Sequence, residues 1–156
     1  MGVSYRLAGV EDLPALARLR WEMEVEEMEA EGNHTTMDLN IYTRQFVEAV
    51  GDDVERGSHV PWLAEDVGEP VACVALNWWH MAPNAVDAHR KRGCVSYVYT
   101  RPTYRRQGIS RALMTTLVAW AREHSLHRLM LWASDMGRPL YEDLGFAPSR
   151  GLELNL

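Results

Sequence analysis

The sequence predicts a mixed α/β (α+β) fold in a single domain, residues 1–156, and three observations lead there. Apolar positions recur every three to four residues in some stretches, as on a helix face. Short apolar runs bounded by turn residues fill others, as in strands. Both tight turns and helical crossovers join those runs, so the order β-α-α-β-β-β-α-β-α-β requires a mixed sheet flanked by helices. A chain of 156 residues buries one sizeable core and is short for two. No repeat or linker-like stretch divides it.

Val3–Leu7 reads as the first strand. Glu11–Glu29 reads as a helix, with Asp12 and Pro14 in its first turn and Leu13, Leu16, Leu19 or Arg20, and Met23 at helical spacing; Gly32 ends it. A second amphipathic helix over Leu39–Val50 buries Ile41, Phe46 and Val50 and stops near Gly51. Val60–Glu65 and Pro70–Trp79 flank the turn Asp66-Val67-Gly68-Glu69 as an antiparallel hairpin. Cys94–Thr100 is a strand closed by Pro102. Ile109–Glu123 carries the stripe Ile109, Leu113, Leu117, Trp120 of a helix lying on a sheet. Leu129–Ala133 is the next strand, Pro139–Leu144 a short helix, and Phe146 onward a final strand ending in Leu152–Leu156.

Composition narrows the function. With 47% apolar and 24% charged residues, the chain has the balance of a globular protein. The N-terminus lacks a basic start followed by an apolar run, and no apolar stretch approaches the roughly 20 residues that span a bilayer, so a soluble, cytoplasmic protein without a membrane partner is expected. Cys73 and Cys94 sit in apolar runs with no CxxC pair, and the histidines are scattered, so neither a disulfide framework nor a metal site is expected. A net charge of -6 argues against nucleic acid as a partner. The charge is uneven, however. Residues 22–31 (EMEVEEMEAE) are acidic, whereas 89–92 (HRKR) and 101–111 (RPTYRRQGISR) are basic.

The most informative stretch runs from Val95 to Met114: a strand, an arginine-rich turn, Gly108, then a helix. The first turn of a helix leaves N–H groups unpaired, and its aligned peptide dipoles favour an anion there. Gly108 lets an anion approach the backbone, while Arg105, Arg106 and Arg111 add charge-assisted hydrogen bonds.

Arg105-Arg-Gln-Gly108-Ile-Ser110 resembles the Q/R-x-x-G-x-G/A cofactor motif of the GNAT acetyltransferases, in its usual setting of a preceding strand, Pro102 and Tyr104, and a following Ala112-Leu113. Ser110 is a polar departure from the small final residue. A second segment, residues 133–146 with Leu140-Tyr141 and Leu144-Gly-Phe146, is similar to the family's other signature. The resemblance implies a mostly antiparallel twisted sheet with two splayed parallel central strands, here ending near Thr100 and Ala133, and acetyl-CoA between them as cosubstrate. It further implies that Val98, Tyr99 and Thr100 pair with the acetyl and pantetheine groups, one N–H steadying the developing oxyanion. The pyrophosphate would rest on the backbone from Arg106 through Gln107, Gly108, Ile109 and Ser110 to Arg111. Tyr141 maps onto the tyrosine that protonates the departing thiolate. Ser134 stands where many relatives have an asparagine touching the cofactor, and Gly137 where they have alanine.

An ammonium acceptor needs a proton acceptor, yet the strand before the motif offers only Ser96, Tyr97 and Tyr99. A chain of waters or a carboxylate from the first helices remains open. Trp78 and Trp79 are candidates to line the acceptor pocket. By resemblance the first two helices form one wall of the acceptor cleft, which makes Glu24 and Glu27 candidates to face a cationic amine. The expected activity is N-acetyl transfer to a primary amine of a small molecule by direct transfer in a ternary complex. A noncatalytic acyl-CoA-binding regulatory domain, or acetylation of a protein or peptide, is the alternative. A homodimer is compatible with the sequence, which specifies no interface for one.

Overall fold

The computed structural model describes residues 2–88 and 90–156; His89 of the basic run lies outside them. Strand β1 (Ser4–Leu7) leads through a 3-10 turn at Val10–Asp12 into helix α1 (Leu13–Ala30), which helix α2 (Leu39–Arg56) follows. Strands β2 (His59–Asp66), β3 (Glu69–His80) and β4 (Lys91–Thr100), helix α3 (Ile109–Glu123), strand β5 (Arg128–Met130) and helix α4 (Arg138–Asp143) complete the order. The sheet runs β1-β2-β3-β4-β5, with the first four strands antiparallel neighbours and β5 parallel to β4. The mixed, mostly antiparallel sheet expected from the sequence is the one found.

Local chemistry sets the helix starts. The Asp12 carboxylate accepts from the Gly9 N–H at 2.9 Å ahead of α1 and pairs with Arg6, whose guanidinium holds it below the usual carboxylate range. Asp38 caps α2, its carboxylate accepting from the N–H groups of Asn40 at 2.8 Å and Ile41 at 3.3 Å. Helix α2 does not stop near Gly51 as expected. It continues to Arg56 and ends on Gly57, left-handed at φ 77°. A glycine inside a helix costs only about 1 kcal/mol, and the added turn packs Val54 against the core.

Two apolar layers sandwich the sheet. One, under α3, joins Leu113, Met114 and Leu117 to Val74, Leu76 and Val95. The other, under α1 and α2, joins Leu13, Leu16 and Phe46 to Leu63, Cys73 and Tyr97. The final strand expected from Phe146 onward is absent. Phe146 packs on the α3-side core, but residues 147–156 form no strand, and Leu152, Leu154 and Leu156 are exposed. Alternation of apolar residues suggests a strand, but ladder hydrogen bonds make one, and this segment has none.

One irregularity shapes the site. In β4, Tyr97 lies opposite Ala75 and Val95 opposite Leu76, so Ser96 is an extra residue, a β-bulge. Pairing of β4 with β5 covers only Arg92, Gly93 and Cys94, and it ends just before the bulge. From Val95 onward β4 keeps β3 on one side and, among the described residues, has no strand on the other.

Candidate active site

The gap that opens beyond the bulge is a cleft of about 460 Å³. Val98, Tyr99 and Thr100 of β4 form its floor, and the turn before α3 closes one end with Arg105, Arg106, Gly108 and the first residues of α3, Ile109, Ser110 and Arg111. Ser134 and Tyr141 stand across from β4, and Glu27 of α1 reaches in from the side.

The turn leaves its backbone open to the cleft. Arg106 and Gly108 both adopt left-handed backbone, φ 63° and 80°, which turns the chain sharply from β4 into the N-terminus of α3. No side chain caps that terminus, and a Cβ on Gly108 would meet nothing within 4 Å, so the approach to the backbone is clear. Ser110, the polar departure from the motif, has a role of its own: its hydroxyl is 2.8 Å from that of Thr100, tying the start of α3 to the end of β4. Arg111 pairs with Asp143 of α4 at 2.8 Å. Arg105 is already engaged, donating from Nε to the Thr100 carbonyl at 2.8 Å and from Nη2 to Glu26 at 2.5 Å. Gln107 points away from the cleft and donates to the Thr103 carbonyl at 3.3 Å.

Tyr141 packs edge-on against Phe146, with ring centroids 6.1 Å apart, and burial pushes its phenol above the ordinary value. It therefore stays protonated well beyond neutral pH. Gly137 makes this placement feasible: a Cβ there would lie 2.9 Å from Tyr141 Cε2 and 3.2 Å from Ser134 Oγ.

Neither buried tyrosine of β4 is free to act as a base. The Tyr97 hydroxyl donates to His59 Nε2 at 3.1 Å, and burial holds that imidazole below its ordinary pKa and hence neutral. The Tyr99 hydroxyl donates to Glu26 at 3.3 Å, and burial together with the nearby Glu26 and Glu22 carboxylates raises its pKa to about 12.

The acidic stretch of α1 is less uncompensated than the sequence suggests. Glu22 takes a two-pronged bond from Arg101, both contacts 2.9 Å, while Glu24 accepts from Arg20 at 2.9 Å and from the Tyr42 hydroxyl at 3.3 Å. Glu24 thus turns toward α2 and does not line the cleft. Glu27 does, and its carboxylate has no hydrogen bond or ion pair among the described residues. Burial, then the like charges of Glu24 and Glu31, raise its pKa above the ordinary carboxylate value.

The tryptophans part company. Trp78 packs on the α3-side core, its indole donating to the Gly57 carbonyl at 2.6 Å, whereas Trp79 lies on the opposite face, half exposed, its indole 3.3 Å from Met81 Sδ. Neither lines the cleft.

Residues 16–146 match the Acetyltransferase (GNAT) family. The chain belongs to that family. It is therefore an acyltransferase, as its structural likenesses bear out. A predicted acetyltransferase from Clostridium acetobutylicum, whose structure is with acetyl-CoA, is 27% identical with a TM-score of 0.84, over 99% of this chain and 96% of that one. A GCN5-related N-acetyltransferase from Ralstonia eutropha JMP134 is 26% identical with a TM-score of 0.81, over 99% of each chain. An aminoglycoside acetyltransferase from an uncultured soil metagenomic sample shares the fold at 16% identity and a TM-score of 0.70, over 100% of this chain and 98% of that one. No curated protein matches the sequence.

In this GNAT acetyltransferase, sequence reasoning missed Met23, Glu26, Tyr104, Met136 and Leu140 as cleft residues. Glu26 had a signal available, since it lies four residues from Glu22 and so on one helix face with it. Tyr104 flanked the motif but carried no chemistry until its hydroxyl was seen to donate to Asp66 at 3.0 Å.

Proposed function

We propose that the chain acts as one domain that transfers acetyl from acetyl-CoA to a primary amine of a small molecule, directly and in a ternary complex. One observation carries this reading: the β4 edge freed by the bulge, the open glycine turn at α3 and Tyr141 all face a single cleft. The residues present fit the cosubstrate. The N–H groups at the α3 terminus, which no side chain caps, and Arg106, unpaired among the described residues, suit a diphosphate, and the β4 edge at Val98 and Tyr99, beyond its pairing with β5, suits the amides of a pantetheine arm. Acetyl-CoA, when bound, supplies the acyl group as an activated thioester.

The chain's own residues then divide the work. A β4 N–H steadies the developing oxyanion. Tyr141 gives a proton to the leaving sulfur. Glu27 holds the incoming ammonium and takes its proton, since it is the unpaired carboxylate in the cleft and its raised pKa moves it toward that of a useful base. A substituted ammonium remains a better-held guest than a neutral or anionic acceptor.

Two measurements test the reading. Acetyl-CoA at about a hundred times its Kd is expected to raise Tm by roughly 5–10 °C, because a ligand of the folded state stabilises it by mass action; no shift, with no CoA released from acetyl-CoA in the presence of any amine, defeats the proposal. Glu27→Gln is expected to raise the KM of the amine roughly three- to tenfold and leave that of acetyl-CoA unchanged, and added salt should shrink the difference. Glu24→Gln serves as the comparison. Its carboxylate is tied to Arg20 and Tyr42, so it should change stability and not the amine KM.

A further inference from the structure

We infer that the acceptor is an amine carried on a large apolar body, an arylalkyl- or bulky alkylamine, whose body seats on a shelf made by Met130 and Trp132 beside the cleft. The inference rests on the function proposed above and names the substrate class of that site. Along residues 128–134 exposure alternates: Leu129 and Leu131 pack on the α3-side core, so Met130 and Trp132 face the other side of the sheet. That is the side on which α1 lies, but α1 packs against β3 and β4. Met130 of β5 and Trp132, two residues beyond it, are left open, 38% and 67% exposed.

The shelf leads along the chain into the cleft. Ser134, two residues beyond Trp132 in the same alternation, lines the cleft, and so does Met136, itself 73% exposed. Trp79 lies on the same sheet face, because its neighbour Trp78 points into the α3-side core. Single exposed apolar residues need no explanation, but Met130, Trp132 and Met136, all exposed along the segment that leads from β5 into the cleft, do. The opposite wall supplies Glu27, so the two sides together match a cation at one end of a guest and an apolar body at the other. A polyhydroxylated or polycationic amine would strip water from its polar groups against Trp132 and Met130 without regaining hydrogen bonds.

Acetylation rates over a matched series test this: 2-phenylethylamine and hexylamine against ethanolamine, putrescine and an aminoglycoside. The apolar amines should exceed the polar ones by about tenfold or more in kcat/KM. Trp132→Ala should remove most of that preference through the amine KM, with the KM of acetyl-CoA and the kcat at saturating amine little changed; Trp132→Phe should retain most of it. The proposal is overturned by a preferred acceptor that is polyhydroxylated or polycationic, by an unaltered preference in Trp132→Ala, or by a wild-type dimer that Trp132→Ala splits without altering amine choice, which would make the shelf a protein interface. It is overturned equally by acetyl-CoA binding without acetylation of any apolar amine. If acetyl-CoA itself fails to bind by calorimetry, the proposed function falls first and takes this inference with it.

Discussion

Gly108→Glu is expected to weaken binding of acetyl-CoA by roughly a hundredfold or more while leaving a folded protein. Two separate effects act at this position. The residue sits at φ 80°, where any side chain is strained, at a cost of about 1–2 kcal/mol. The space beyond its Cα is empty to 4 Å, so a new side chain would not clash with the protein but would project into the anion's approach, carrying a like charge. Losing even two charge-assisted hydrogen bonds of the usual strength accounts for the expected drop. Gly108→Ala separates the effects, because it keeps the strain without the charge. It should lower Tm by a few degrees and weaken acetyl-CoA only slightly. Isothermal titration with both variants decides the matter: unchanged affinity in a folded Gly108→Glu protein would move the diphosphate elsewhere.

Tyr141→Phe should slow turnover roughly ten- to a thousandfold, the range for removal of one positioned acid. A thiolate is a fair leaving group, which keeps the effect from the upper extreme. The ring remains, so the edge contact with Phe146 and the tight fit over Gly137 survive, and neither Tm nor the KM of acetyl-CoA should move much. The pH dependence gives a further check. Burial raises the phenol's pKa, so the acid form persists above the pH at which a free tyrosine would ionise, and activity should fall only beyond it. Measured where chemistry limits the rate, a Phe variant as fast as wild type would reduce Tyr141 to a packing residue.

Much of this was legible in the sequence for identifiable reasons. The helix over Ile109–Glu123 was readable to the residue because a glycine precedes it and its apolar stripe is unbroken. The β2–β3 hairpin was readable because Val67-Gly68 marks the turn. Gly51 misled, since a glycine inside a helix and one that ends it look alike until packing shows which is tolerated. The tail misled differently: Leu152, Leu154 and Leu156 alternate as a strand should, but pairing is a property of a neighbour and not of the segment. The bulge at Ser96 has no local signature, and without it the width of the cleft cannot be deduced. Glu24 and Glu27 were equivalent in the sequence. Only the positions of Arg20 and Tyr42 distinguish the one that is held from the one that is free.

The two ion pairs that α1 sends across to the turn before α3, Glu22 to Arg101 and Glu26 to Arg105, make one body of what would otherwise be two walls. Glu26 also holds the Tyr99 hydroxyl, so its carboxylate answers both to the floor of the cleft and to the arginine at its end. An anion that competes for Arg105 changes the field at α1, and a cation drawn to α1 changes what Arg105 has left to offer. Under the proposed function the affinities for acetyl-CoA and the amine are then thermodynamically linked, and by reciprocity each alters the other by the same factor.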